Sequence, residues 1–83
     1  MATVTLRYWA AAKQAAGIAE ETVSADTLGG ALAAAADRGS ALRAVLARSS
    51  FLVDGDPVGR RPPDSVPLRD AAVVEVLPPF AGG

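Results

Sequence analysis

One helical stripe limits what this chain can become. Leu28, Ala31, Leu32 and Ala35 recur at i, i+3, i+4 and i+7, the spacing of a single buried helix face. The segments on either side alternate instead, with the period of strands. A chain of 83 residues is one domain, and it buries only roughly 60–65% of its unfolded surface. One long helix must then cover one face of a small mixed sheet, an α+β arrangement.

The strands read as follows. "TVTLRYW" places Val4, Leu6 and Tyr8 on one face and Thr3, Thr5, Arg7 and Trp9 on the other, the pattern of a half-buried strand. "AAAKQAAG" is a loop with at most a turn of helix, stopped by Gly17. "AEETVS" is a second, weaker strand placed to pair antiparallel with the first. Asp26 and Thr27 are N-cap types for the main helix, which Gly39 ends. Gly29 and Gly30 weaken its first turn by up to about 1 kcal/mol each. Ser40 caps a second short helix with Leu42, Val45 and Leu46 inward. "FLVDGDPV" is a small hairpin turned at Asp54-Gly55, and "GRRPPDSVP" is loop. Val73 to Leu77 form the last strand, with Val74 and Val76 inward and Val73, Glu75 and Leu77 on the other side. Pro78 and Pro79 then forbid further ladder pairing.

The residue inventory narrows the chemistry. The chain has no cysteine and no histidine, so it lacks a thiolate, the commonest metal ligand and the commonest general base. No acidic loop has calcium-binding spacing, so no metal site is expected. Eight basic and nine acidic residues give a net charge of -1, which argues against nucleic acid or an anionic membrane as partner. "MATVTLRYW" does not read as a signal peptide, and no apolar run approaches the ~20 residues of a membrane span. The expected setting is the cytoplasm. An independent enzyme is not expected; if the chain takes part in chemistry, an unusual group or a partner supplies it.

The sequence "LPPFAGG" offers such a group. Pro78-Pro79 form a stiff spacer, Phe80 is an apolar anchor, and Gly82 and Gly83 lack the Cβ that would keep a narrow channel from closing on the backbone. The α-carboxylate of Gly83 is sterically bare. A partner could thread residues 78–83 into an active site and activate that carboxylate with ATP. The bland alternative is that terminal glycines are simply disordered.

The order of elements and the "PPFAGG" ending resemble the MoaD/ThiS sulfur-carrier family, and its MoaD branch, the small subunit of molybdopterin synthase, most of all. The resemblance runs through "VTLRYWAAAKQAAG", the helix after "SADT", "FLVDGDPV" and "PLRDAAVVEVLPPFAGG". It implies a ubiquitin-like β-grasp domain over residues 1–77 and a flexible, extended C-terminal tail over 78–83. The chain departs from the family pattern at Ala71-Ala72, where members often carry glycine and an acid, and in the long "VGRRPPDSVP" loop.

The resemblance further implies a mechanism. A MoeB-like adenylating enzyme, holding ATP and Mg, would convert the Gly83 carboxylate to an acyl-adenylate. A sulfur donor protein would displace AMP to leave a thiocarboxylate. A MoaE-like large synthase subunit would then receive the tail and pass the sulfur to a pterin precursor of the molybdenum cofactor. No cofactor would be bound by the chain itself. Gly82 would pass the constriction, while Ala81, Phe80, Pro79 and Pro78 set the register of the tail. Trp9, Val73 and Leu77 are candidates for the partner interface, though Trp9 could equally pack under the adjoining loop as core. Arg60, Arg61 and Lys13 read as solvated charge that could meet an acidic partner.

Other functions share these residues. The sulfur could serve thiamine thiazole or cysteine synthesis instead. Gly83 could be conjugated to lysines, making the chain a ubiquitin-like modifier, or the tail could be inert and the domain a plain interaction module.

Overall fold

The computed structural model describes residues 1–79 of the 83. Five strands form one mixed sheet in the order β2-β1-β5-β3-β4. β1 (Thr3–Tyr8) is followed by α1 (Ala10–Ala16), β2 (Glu20–Ser24), α2 (Leu28–Ala36), α3 (Ser40–Leu46), β3 (Ser50–Val53), β4 (Asp56–Pro57), a 3-10 turn (Pro63–Ser65) and β5 (Val73–Leu77). β1 pairs antiparallel with β2 and parallel with β5, while β3 pairs antiparallel with both β5 and β4. This is the ubiquitin-like β-grasp expected above. Its last strand lies at the centre of the sheet.

The alternation in β1 and β5 is met by burial. Val4, Leu6, Val74 and Val76 are fully buried, and Tyr8 nearly so. From the other side of the core come Leu28, Ala31 and Ala35 of α2 and Leu42, Val45 and Leu46 of α3. Small side chains on α2 let that helix sit close to the sheet. Leu32 is half-buried at the edge of the same stripe.

Several local expectations need correction. The segment after β1 is a two-turn helix, α1, rather than loop: Ala12 is fully buried, Ala15 and Ala16 pack on the core, and the Gly17 N–H donates to the Lys13 carbonyl at 2.9 Å with φ at 78°. An alanine-rich heptad needs little more than a docking surface to be helical. α2 stops at Ala36 with Asp37 as its C-cap, so Gly39 does not end it. Instead Gly39, at φ 144°, is the N-cap of α3, and Ser40 is the first helical residue rather than the cap. Thr27 does cap α2, its Oγ1 accepting the Gly30 N–H at 3.1 Å. Asp54 and Gly55 both take positive φ, 50° and 87°, the backbone of a tight hairpin turn. The loop after β4 contains the 3-10 turn Pro63–Ser65, which packs on α2.

A polar network fastens the rim of the sheet to the turn that follows α2. The Tyr8 hydroxyl donates to Glu21 Oε2, and Arg38 Nε and Nη2 donate to the two Glu21 oxygens at 2.6 and 2.9 Å. The Arg38 hydrogen bonds hold the Glu21 carboxyl below the usual carboxylate range, against burial, with help from the Tyr8 hydroxyl. Burial first, then the neighbouring carboxylate, pushes the Tyr8 phenol above its usual range.

Candidate functional site

Side chains alternate across a strand, so the residues of β5 that do not enter the core face the opposite side of the sheet. Val73, Glu75 and Leu77 are half-buried there, and the helices do not cover them. Directly paired residues share a face. A row therefore crosses this open side through Glu20, Arg7, Glu75, Leu52 and Pro57. Arg7 is drawn toward Glu20, at 3.6 Å.

Trp9 stands where β1 ends. It is 46% exposed, which removes the reading of Trp9 as a core residue. Its backbone N–H donates to the Val76 carbonyl at 3.3 Å, and its indole Nε1–H donates to Glu75 Oε1 at 3.2 Å. Ala10, the next residue, has φ at 49°, a left-handed kink that turns the chain abruptly from β1 into α1. Trp9 is thus held at a corner, beside the end of β5. With Ala10, Leu77 and Pro78 it lines an apolar groove of about 350 Å³. On its other side a broader depression of about 680 Å³ runs along Lys13, Gln14, Gly17, Ile18 and Ala19.

The predicted site residues therefore do not all come together. Trp9, Leu77 and Pro78 meet at one groove. Val73 shares the open face but lies at the far end of β5, opposite Thr5. Pro79 is exposed just beyond the strand. Phe80, Ala81, Gly82 and Gly83 lie outside the described residues. Lys13 lines the depression on the α1 side of Trp9. Arg61 is engaged locally, donating to the Val58 and Pro57 carbonyls at 3.0 and 3.2 Å. Sequence reasoning missed Glu75 as the partner of Trp9 and Leu52 as a member of the face. Both depend on strand register, and Trp9 and Glu75 lie far apart in the chain.

The start of β5 is fastened just as firmly as its end. Asp54 Oδ1 accepts the Val73 N–H at 2.9 Å and Asp54 Oδ2 accepts from Arg69 Nε at 3.1 Å. The Val73 hydrogen bond, then Arg69, keeps the Asp54 carboxyl below its ordinary value. β5 is thereby anchored at the hairpin turn, and its other end delivers the chain past Trp9.

The ThiS family model matches residues 6–83. The chain belongs to the ThiS family. Solved structures of similar fold include small archaeal modifier protein 1 from Methanosarcina acetivorans, 24% identical with a TM-score of 0.87, covering 100% of this chain and 98% of that one. The same modifier from Haloferax volcanii is 20% identical with a TM-score of 0.82, over 98% and 99% of the two chains. A protein–protein complex of subunits 1 and 2 of the molybdopterin-converting factor from Helicobacter pylori contains a chain 22% identical, with a TM-score of 0.71 over 98% and 99%. No curated protein matches the sequence. In this ThiS-family chain, no helix among the described residues is long and apolar enough to cross a membrane.

Proposed function

We propose that this ThiS-family protein is a sulfur carrier whose reacting group is the α-carboxylate of Gly83. The observation that carries the reading is the course of β5. It runs through the centre of the sheet, is pinned at its start, and directs the chain out past Pro78 and Pro79 beside an exposed tryptophan groove. The domain thus brings the chain as far as Pro79 to a fixed place beside that groove.

In the proposed cycle the carboxylate oxygen attacks the α-phosphorus of ATP on a MoeB-like adenylating enzyme, forming an acyl-adenylate and releasing pyrophosphate. A sulfur nucleophile at the sulfide level, delivered by a donor protein, adds to the acyl carbon and expels AMP, leaving a thiocarboxylate. ATP, magnesium and the electrostatics of both steps belong to the partner. The carrier contributes a bare carboxylate at Gly83, a slender backbone at Gly82, and an apolar anchor at Phe80. The "PPFAGG" ending favours the molybdopterin branch, in which a MoaE-like large subunit takes the tail and transfers sulfur to a pterin precursor in two carrier turnovers. The groove at Trp9, Leu77 and Pro78 is the proposed first point of contact for both partners.

Intact mass spectrometry after incubation with ATP, sulfide and a cell extract tests the reading. The expected result is an ATP-dependent gain matching one oxygen replaced by sulfur, located at Gly83; the same spectrum shows whether Gly83 carries a free carboxylate. No gain in an extract that activates a known carrier overturns the proposal. Gly83→Val should abolish the gain without lowering the melting temperature, because the buried core of the described residues runs from Val4 to Val76.

A second reading has support in the likeness to small archaeal modifiers. In it Gly83 is transferred to a lysine amine. It is distinguished by isopeptide-linked adducts, which a pure sulfur carrier does not form.

A further inference from the structure

An exposed tryptophan at the end of a strand has several rotamers open to it. Here the indole is turned back along β5 by its hydrogen bond to Glu75, at 3.2 Å. The acceptor is a side-chain oxygen of the neighbouring strand. Glu75 is half-buried within the open face, so its own side chain has limited freedom. The backbone is fixed independently, by the Trp9 N–H bond to Val76 and by the kink at Ala10. The orientation of this ring decides the shape of the depressions on both its sides.

We propose that Glu75 is a positioning residue: it sets Trp9 as a fixed wall of the groove beside the exit of β5 and so determines how tightly the adenylating partner grips the carrier. The role rests on the sulfur-carrier reading for the identity of the partner, but the clamp itself does not. An aromatic anchor already held in its bound orientation spares the complex the cost of ordering it on docking. Among the described residues the Glu75 carboxylate is bonded to the Trp9 indole, so its expected effect is on affinity and not on the chemical step.

Trp9 is the only tryptophan in the chain, so its fluorescence anisotropy and its indole N–H resonance report the clamp directly in the isolated protein. Glu75→Val removes the acceptor and keeps a strand former, Glu75→Gln keeps an acceptor oxygen, and Trp9→Phe keeps a ring without the donor. In Glu75→Val the indole resonance is expected to shift upfield and the anisotropy to fall. Glu75→Val and Trp9→Phe should each raise the KM for the carrier in ATP-dependent adenylation about three- to tenfold with kcat unchanged. The double variant should be no worse than either single one, and Glu75→Gln should stay near wild type. An unchanged indole signal in Glu75→Val overturns the clamp. Additive effects, or a Glu75→Gln as impaired as Glu75→Val, overturn its role in docking. If Glu75→Val melts early, Trp9→Phe at its half-exposed position decides by the same KM. A wild-type chain that is never adenylated sinks the carrier reading and the docking role together, while the indole signal still judges the clamp.

Discussion

At the scale of single residues, the backbone strain among the described residues is concentrated at three non-glycine positions with positive φ: Ala10 at 49°, Asp54 at 50° and Ala71 at 70°. Asp54 tolerates this conformation better than most residues do. Ala71 does not, yet its N–H must reach the Thr3 carbonyl at 2.8 Å to close the turn before β5. The glycine that the resemblance leads us to expect here would take this conformation without that strain. Ala72, where the resemblance leads us to expect an acid, is fully buried. Ala71→Gly should stabilise the domain by about 0.5–1 kcal/mol, the relief of left-handed strain less the added freedom of the unfolded chain. Urea unfolding measures it; a loss of stability would show that the turn is not strained. The departure at Ala71-Ala72 was legible in the sequence, but its physical meaning needed φ and burial. Trp9 shows the same limit: alternation put it on the polar face, and its exposure settled that it is not core.

At the scale of elements, two adjacent glycines in the first turn of α2 look equivalent and are not. A Cβ on Gly30 would meet Ala25 Cβ at 3.4 Å and Thr27 Oγ1 at 3.5 Å, ordinary contact. A Cβ on Gly29 would lie 2.9 Å from Asp64 Cγ and 3.2 Å from the Asp64 backbone nitrogen. Gly29 is what lets the 3-10 turn approach the helix. Gly30→Ala should therefore raise stability by about 0.5–1 kcal/mol, whereas Gly29→Ala forfeits that gain by pushing Asp64 away. Paired thermal melts test the difference, and equal gains would mean that the 3-10 turn gives way freely. The main helix, its Thr27 cap, the hairpin and the last strand were all legible, because periodicity and turn chemistry are local. The helical state of α1 was not, since seven residues are too few to be helical without a surface to dock on.

At the scale of the whole molecule, Tyr8, Glu21 and Arg38 join β1, β2 and the turn after α2. The Glu21 carboxyl titrates below its unfolded value, so its contribution is present above the unfolded pKa and is lost as pH falls through the folded one. Glu21→Gln should cost roughly 1–2 kcal/mol near neutral pH, and the gap from wild type should narrow in acid below pH ~4. A gap independent of pH would show that the carboxylate's charge contributes nothing. Strand order was reached only through resemblance, because alternation does not say which strands are neighbours. The candidate site was legible in part for the same reason. Trp9, Leu77 and Pro78 do converge, Val73 does not join them at the groove, and Glu75 could be tied to Trp9 only once register was known.

The parallel pairing of β1 with β5 has a consequence for synthesis. The first strand waits for the last: Thr5 meets Val73 and Tyr8 meets Val76, contacts between opposite ends of the sequence. Topologies dominated by such long-range pairs fold late and slowly. Until β5 has left the ribosome, β1 and β3 lack their common neighbour and the two halves of the sheet stay separate. A nascent chain therefore has no Trp9 corner and no fixed exit to offer. Under the proposed carrier role, its competence would begin with the closing of the sheet, and a partner that reads the corner before it takes the following residues would inspect each new molecule for completed folding.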